Sequence, residues 1–242
     1  MPARSSVYQR RLDTLQTILF VAPVLLFSVI AHEYAHGYAA LKQGDPTAYQ
    51  LGRLTWNPIK HIDPFLTILM PLIMGFMSNW TVMLGGAKPV PVNPRNYKNF
   101  KRGDIIVSLA GVFVNFLLAI ACTILIAVFG FVSSLVPAAS QTVGILQVMM
   151  IYSVTINMGL IAFNLIPIPP LDGSHVMKYL LPPAWSLRYQ QMTRYGLVIL
   201  VLLLSFGSRL IDLWMRPAMY TRMALLSSVA RFIDPSAEQW FQ

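Results

Sequence analysis

The sequence predicts an all-α polytopic membrane protein with about four to six membrane segments, each of which needs roughly 20 apolar residues. Of its 242 residues, 56% are hydrophobic and only 11% are charged, whereas about 25% are charged in a typical soluble domain. The apolar residues form blocks that are too long for a soluble core, and basic residues occupy the short segments between them. This composition excludes a disordered chain and argues against an ordinary cytosolic enzyme.

We treat the chain as a single intramembrane domain that covers residues 1–242. The predicted segments are a first helix at 15–42, a short segment at 64–79, spans at 104–132, 143–167 and 194–216, and an interfacial tail at 217–242. The segment at 64–79 contains Pro71 and Gly75 and is shorter than the roughly 20 residues of a membrane span. It is read either as a short span or as a re-entrant segment.

A small extended or β element is predicted at the cytoplasmic membrane interface, from Leu84 to Val92. Gly85 and Gly86 would let another backbone approach closely, so a substrate strand could pair with this edge. Prolines in the same segment limit the hydrogen bonds that the edge donates, and a plain interfacial loop is the alternative. The polar stretch Ala48–Thr55 is also strand-like.

The net charge of +9 is carried by basic residues that flank the apolar blocks, which is typical of positive-inside topology and contact with anionic lipid. The basic connections at 78–104 and 168–194 are expected to face the cytoplasm, and the uncharged connection at 133–142 the opposite side. No basic stripe is interleaved with aromatic residues, so we expect no nucleic-acid partner. The single cysteine, Cys122, excludes an intramolecular disulfide and a cysteine-based zinc site.

The first apolar block contains the sequence His32-Glu33-Tyr34-Ala35-His36. Residues four apart lie on one face of a helix, so the two imidazoles could bind one Zn²⁺. Glu33 is adjacent in sequence, and its carboxylate could reach a water molecule at the metal without being a ligand. These polar groups are costly in an apolar helix unless they are paired or bind a metal. The alternative is an interfacial helix whose polar residues face water.

A zinc site needs a third protein ligand, and the chain has few acidic residues to supply it. Asp172 follows three prolines that break the helix of the 143–167 span, and broken backbone at membrane depth must line a cavity or be covered by protein. The turn at Asp172 could therefore direct its carboxylate inward, which makes it the favoured third ligand. Asp63 and His61 are the alternatives. His175 is interpreted as a histidine at a helix start, with a place beside the metal ligands as the less favoured reading.

Two distant motifs together resemble the site-2 protease family, the intramembrane zinc metallopeptidases of family M50. They are the histidine motif at 32–36 and the run Asn164-Leu-Ile-Pro-Ile-Pro-Pro-Leu-Asp-Gly173. Further runs are similar to the short bacterial members without a PDZ domain, namely Gly44-Asp-Pro-Thr-Ala, Gly52-Arg-Leu-Thr, Asn57 to Pro64, and Gly86 to Pro94. Val112 stands where such members usually carry proline, a departure that touches no ligand.

The resemblance implies roles for individual residues. His32, His36 and Asp172 would bind one zinc ion per chain, with Glu33 as the catalytic base. The resemblance places Asn115 and Asn164 near the active site, where they would bind the substrate backbone. Interhelical hydrogen bonding is the alternative for both, because asparagine commonly makes such bonds in membranes. Asn157 is assigned to helix packing.

The expected function is that of an intramembrane zinc endopeptidase that hydrolyses peptide bonds in or near transmembrane segments. We expect it in the inner (plasma) membrane as a multi-pass protein, with the active site towards the cytoplasm. The expected partners are a transmembrane protein substrate and the lipid bilayer, and the oligomeric state is left open. A non-cleaving metal-binding scaffold or regulator is the alternative, and an ion transporter is a less favoured one.

The metal site and the loop charges conflict over the N-terminus. One ion requires the end of the first helix and the end of the 143–167 span to lie at one membrane depth. Both ends are cytoplasmic if the 64–79 segment is re-entrant, which places the N-terminus outside despite its three arginines. We favour this arrangement because a metal site constrains the fold more strongly than a charge bias does.

Overall fold

The protein is mostly helical in the part of the chain that the computed structural model describes, which is residues 2–69, 73 and 86–238. The α-helices are α1 (Pro2–Gln43), α2 (Thr47–Gln50), α3 (Phe100–Leu135), α4 (Ser140–Asn164), α5 (Asp172–Leu180), α6 (Pro183–Gln191), α7 (Gly196–Phe206), α8 (Ser208–Val229) and α9 (Pro235–Glu238). Short 3₁₀ helices lie at Pro58–His61, Pro94–Asn96, Pro137–Ala139, Met192–Tyr195 and Ala230–Phe232, and a π-helix lies at Pro64–Leu69. The predicted all-α class is confirmed.

The predicted extended elements are not shown as strands in the described ranges. Residues 86–93 have no regular secondary structure, so the small β element from Leu84 to Val92 is not shown. The strand-like reading of Ala48–Thr55 is wrong, because this stretch begins with α2 and continues as a turn. The backbone N–H groups of Gln50 and Arg53 bond to carbonyls four and five residues earlier in the chain instead of to a neighbouring strand.

Within the described residues, three helices are long and apolar enough to cross a membrane: Thr17–Gln43, Phe100–Leu135 and Pro137–Asn164. A fourth candidate is a bent pair, Pro183–Phe206 with Ser208–Phe232, whose axes differ by 92°. The membrane class is therefore confirmed. Of the segment expected at 64–79, residues 70–72 and 74–79 lie outside the described residues.

The span expected at 194–216 is not one straight helix. The chain breaks at Gly207, which ends α7 with φ of −99° before α8 begins. A Cβ at this position would overlap the backbone carbonyl and side chain of Leu203. Glycine therefore permits a sharp bend that a hydropathy pattern alone does not reveal.

A glycine turn ends α1. Gly44 has φ of +108°, and the N–H groups of Gly44 and Asp45 bond to the carbonyls of Leu41 and Ala40 at 3.1 and 2.9 Å. This is a Schellman motif, in which glycine accepts the left-handed conformation without steric cost. The helix therefore ends at this turn.

Asp45 then connects the end of α1 to the segment before α3. Its carboxylate is fully buried and accepts hydrogen bonds from the backbone of Thr47 and Asn93 and from the amide of Asn96. Burial alone would raise the pKa of Asp45, but these hydrogen bonds hold that pKa below its usual range. Asp45 is therefore a satisfied structural carboxylate.

The chain packs as two compact units. Among the described residues, the first unit is drawn from 1–28, 116–159 and 217–242, and the second from 29–115 and 160–216. The prediction of one domain over 1–242 stays a prediction. Every candidate site residue that the structure describes lies in the second unit.

Polar side chains connect the helices of the first unit. Asn157 donates to the Ser28 hydroxyl and to the Ser153 carbonyl, both at 2.9 Å, so its predicted role in helix packing is confirmed. The buried Gln147 amide donates to the Ile126 and Phe232 carbonyls at 2.9 and 2.8 Å.

The C-terminal tail packs onto the first unit through Gln147 and Asp234. Gln147 Oε1 accepts from the Asp234 N–H at 2.8 Å, and the Asp234 carboxylate accepts from the hydroxyls of Ser133 and Ser140. Residues 230–236 of the tail, which was expected at the membrane surface, therefore pack against the connection between α3 and α4.

The proline-rich turn after α4 is held by side chains of the second unit. Trp214 Nε1 donates to the Ala162 carbonyl at 2.8 Å, and the Tyr189 hydroxyl donates to the Pro167 carbonyl at 2.9 Å. The α-helical donors for these two carbonyls would be the N–H groups of Ile166 and Leu171, which bond to Phe163 and Ile168 instead. The two side chains therefore satisfy carbonyls that the end of the helix leaves without a donor. The Gly173 backbone lies directly against the Leu165 carbonyl, where a Cβ would not fit. The turn thereby starts α5 at Asp172.

Replacement of Gln147 by leucine should destabilise the first unit. Two carbonyls and one N–H would lose their partner in a buried position, at a cost of about 2 kcal/mol. Thermal unfolding of the detergent-purified protein measures the effect as a lower Tm. Gln190→Leu is the matched control, because Gln190 is exposed and bonds only weakly to Ser186 at 3.3 Å. Equal Tm values for the two variants would contradict the assignment.

Candidate metal centre

Three potential metal ligands converge in the second unit. His32 Nε2 lies 3.0 Å from His36 Nε2, and the two nitrogens lie 3.2 and 3.3 Å from Asp172 Oδ2. A tetrahedral zinc site with bonds of about 2.0–2.1 Å places its ligand atoms about 3.3 Å apart. The three side chains are only 8%, 13% and 18% exposed. The distances between the ligand atoms, their chemistry and their burial therefore fit a zinc ion.

Asp172 completes the cluster from the start of α5. It occupies the first turn of this helix, where the helix dipole favours a negative charge. Burial alone would raise its pKa, but the adjacent imidazoles of His32 and His36 hold the pKa of Asp172 well below its usual range. The third position of the cluster is thus a carboxylate, the form that binds a cation.

Helix α3 orients both histidines. His36 Nδ1 lies 2.7 Å from the Val107 carbonyl, so its N–H donates there and the Nε2 lone pair faces the cluster. The His32 ring lies against Gly111, where a Cβ would overlap the imidazole. Neither of these contacts of α3 with the histidines was predicted from the sequence. The glycine inside an otherwise apolar helix was the one signal that could have indicated a close approach.

Asn115 lies one helical turn beyond Gly111 on the same face of α3. It is completely buried, and neither its amide nitrogen nor its amide oxygen has a hydrogen-bond partner within the described part of the chain. A buried amide without a partner costs about 1–3 kcal/mol. Its role in substrate binding stays a prediction, and this position leaves the amide available for a ligand.

Glu33 projects beside the cluster and is held by one backbone N–H. Its Oε2 accepts a hydrogen bond from Val90 N at 2.8 Å. Val90 is buried and packs against α1 at Gly37, where a Cβ would overlap the valine side chain. Since Gly37 is one turn beyond Glu33, the segment around Val90 runs along the face of α1 that carries the carboxylate.

The segment around Val90 is fixed by several further bonds. Lys88 N donates to the His61 carbonyl at 2.8 Å, and the Arg53 guanidinium donates to the carbonyls of Lys88 and Pro89 at 2.9 and 3.3 Å. Gly86, predicted to bind substrate, accepts from Thr67 at 2.7 Å and is exposed. Gly85, predicted for the same role, lies outside the described residues.

The other ligand candidates lie outside the cluster. Asp63 caps the following π-helix by accepting from Phe65 N at 2.9 Å. His61 is buried rather than interfacial, and its Nε2 lies 2.8 Å from the Thr55 carbonyl. His175 contacts Asp104 at 3.3 Å. Of the candidates for a third ligand, the structure brings Asp172 to the two histidines.

The position of Asn164 gives little indication of a role in substrate binding. It ends α4, and its amide nitrogen donates to the Leu160 carbonyl of the same helix at 3.0 Å. This bond satisfies one side of the amide. A contact with substrate stays a prediction for this residue.

Comparison with known proteins identifies the family. Residues 20–205 match the model of Peptidase family M50, a range that contains the whole cluster, Glu33 and Val90. The chain belongs to this family. Membership was predicted from the two motifs and is confirmed, and so is the prediction that the protein is a peptidase. No solved structure matches the chain.

Curated relatives of this M50 protein are bacterial. It is 39% identical to YwhC of Bacillus subtilis (strain 168) over 184 residues, which are 76% of this chain and 79% of that protein. It is 28% identical to Rip2 of Mycolicibacterium smegmatis over 201 residues, which are 79% and 71% of the two chains. Rip2 of Mycobacterium tuberculosis (strain H37Rv) is 29% identical over 181 residues, 74% and 63% of the two chains. All three are named as zinc metalloproteases.

Substitution of Gly111 by alanine should weaken zinc binding. The new methyl group would displace the His32 imidazole, and loss of such support around a ligand costs about 10–100-fold in metal affinity. Alanine also favours a helix by about 1 kcal/mol over glycine, so the loss would not reflect a weaker helix. Competition with a chromophoric zinc chelator measures the affinity.

Gly159→Ala is the matched control for this substitution. Gly159 lies inside α4, and a Cβ there meets nothing within 4 Å among the described residues. Its zinc affinity should equal that of the unmodified protein. An unchanged affinity for Gly111→Ala would show that this glycine does not seat His32.

Proposed function

We propose that this M50 peptidase is an intramembrane zinc endopeptidase that hydrolyses peptide bonds in or near transmembrane segments. The convergence of His32, His36 and Asp172, with Glu33 beside them, carries the proposal. Both histidines and Glu33 lie in Thr17–Gln43, a helix long and apolar enough to cross a membrane. Ionisable groups in such a helix are costly and are typical of functional sites. The zinc metalloprotease names of the relatives support the choice of metal.

His32, His36 and Asp172 would hold one zinc ion per chain. When bound, zinc lowers the pKa of a water molecule and polarises the carbonyl of the peptide bond to be cleaved. Glu33 is the general base, which takes the proton of the attacking water and later delivers it to the leaving amine. The Val90 N–H bonds to Oε2 of Glu33, and Oε1 would accept that proton.

Asn115 is proposed to bind the substrate at the reacting peptide. Its buried amide lacks a partner within the described residues, and it lies on the same face of α3 as Gly111, which seats His32. An amide N–H directed at the oxygen that becomes negative would stabilise the tetrahedral species. Asn164 would bind the substrate backbone from the end of α4.

A substrate helix must unwind before cleavage, because its peptide bonds are shielded by their own hydrogen bonds. We propose that the freed backbone pairs with residues 86–92 beside Glu33. The N–H groups of Lys88 and Val90 are already bonded within the protein, and the flanking prolines have none. Pairing would therefore depend mainly on carbonyl groups of this segment, each of which can accept a second hydrogen bond, and on Gly86.

The proposed location is the inner membrane, with the active site towards the cytoplasm. The basic connections at 78–104 and 168–194 support this orientation through the positive-inside rule. The proposed partners are a transmembrane protein substrate and the lipid bilayer. A non-cleaving metal-binding scaffold is a weaker candidate, since metal binding alone does not require Glu33. An ion transporter is weaker still.

Glu33→Gln should abolish cleavage and leave zinc binding intact. General-base catalysis contributes about 10²–10⁴-fold to rate, while glutamine preserves the hydrogen bond to Val90. The measurement is cleavage of model transmembrane peptides by the purified protein in detergent, with zinc content determined in parallel. Equal product from both proteins would contradict the mechanism.

Asp172→Ala should bind zinc so weakly that dialysis removes it, because two histidines alone leave the metal short of a protein ligand. Asp63→Ala is the control, since Asp63 caps a helix start outside the cluster. Metal analysis after dialysis distinguishes the two variants. Zinc loss in Asp63→Ala with retention in Asp172→Ala would overturn the ligand assignment.

A further inference from the structure

Asp104 links α3, the helix that contacts both histidines, to α5, the helix that carries Asp172. Its carboxylate is 3% exposed. Asp104 Oδ2 accepts from Lys178 Nζ at 2.5 Å and from the Tyr179 hydroxyl at 2.9 Å, and Oδ1 lies 3.3 Å from His175 Nδ1. Asp104 belongs to α3, and all three of its partners belong to α5.

The two helices present their functional groups on the facing sides. On α5, Asp172, His175 and Tyr179 fall within about 60° of one another around the helix axis. Asp104 thus contacts the same face of α5 that supplies the third ligand, Asp172.

The corresponding face of α3 contains the contacts to both histidines. Asp104, Val107 and Gly111 fall within about 60° around the axis of α3. Val107 orients His36 and Gly111 seats His32. The distance between α3 and α5 therefore sets the distance between the histidine pair and Asp172.

Helix α5 is short and has no side-chain cap at its start. It has nine residues, its N-cap residue Leu171 makes no side-chain capping bond, and helices of this length are marginal by themselves. A buried carboxylate that loses its cationic partner is strongly destabilising. The pair of Asp104 and Lys178 therefore specifies one arrangement of α5 on α3.

We propose that Asp104 is a positioning residue of the metal centre. It holds α5 against α3 so that Asp172 Oδ2 converges with the two imidazole nitrogens. The inference rests on the proposed function, in which these three groups bind zinc. Asp104 touches neither the metal nor the substrate and acts through Asp172.

Zinc affinity tests the proposal, measured by chelator competition on the full-length protein in detergent. Asp104→Asn should bind zinc about 10-fold more weakly, the lower end of the loss seen when groups that orient ligands are removed. Asp212→Asn is the matched control, because Asp212 is an exposed carboxylate on α8. Its affinity should be that of the unmodified protein.

The same substitution in an Asp172→Ala background separates positioning from a general effect on folding. If Asp104 acts through Asp172, Asp104→Asn should cause no further loss of affinity once Asp172 is gone. Equal weakening in both backgrounds, or unchanged affinity of Asp104→Asn alone, overturns the proposal. An Asp172→Ala protein that binds zinc normally overturns the proposed ligand set instead.

Tyr179→Phe provides a milder perturbation if Asp104→Asn does not fold. It removes one hydrogen bond to Asp104 and preserves the ring and the charge pair with Lys178. A few-fold loss of affinity that disappears in the Asp172→Ala background supports the proposal. The affinity of the unmodified protein in a folded Tyr179→Phe variant contradicts it.

Discussion

The fold depends on bringing a carboxylate from a late segment of the chain to two histidines in the first membrane helix. Polar ligands inside apolar helices are costly unless their partners are already in place. His32 and His36 are fixed by their spacing on α1, but Asp172 reaches them only because α4 stops at Asn164. The proline turn after α4 is therefore a requirement of the site, and Trp214 and Tyr189 satisfy the carbonyls that it exposes.

Local spacing explains which parts of the site could be predicted from sequence. The histidine motif follows from helical periodicity, and Asp172 follows from the scarcity of acidic residues and the prolines before it. The contacts of Glu33 with Val90 and of His36 with Val107 join residues 57 and 71 positions apart. No periodic pattern encodes such contacts, because they depend on how separate helices and loops pack.

The difference between local sequence patterns and long-range packing also explains the errors in the predicted secondary structure. The polar stretch Ala48–Thr55 was read as strand-like, whereas the short helix α2 follows the Schellman turn at Gly44. The span at 194–216 was read from hydropathy, which does not register the bend at Gly207. Asp104 lies near the start of α3, and no local pattern in the sequence indicates its buried pairing with Lys178.

Helix α3 supplies most of the organisation that the histidine motif lacks. Asp104, Val107, Gly111 and Asn115 fall within about 80° around its axis, and each acts on a different part of the centre. They hold α5, orient His36, contact His32 and present an amide without a partner among the described residues, respectively. Because one rigid helix carries all four, a small rotation of α3 would disturb every ligand together. The geometry of the centre therefore depends on this face of α3 as well as on the histidine motif of α1.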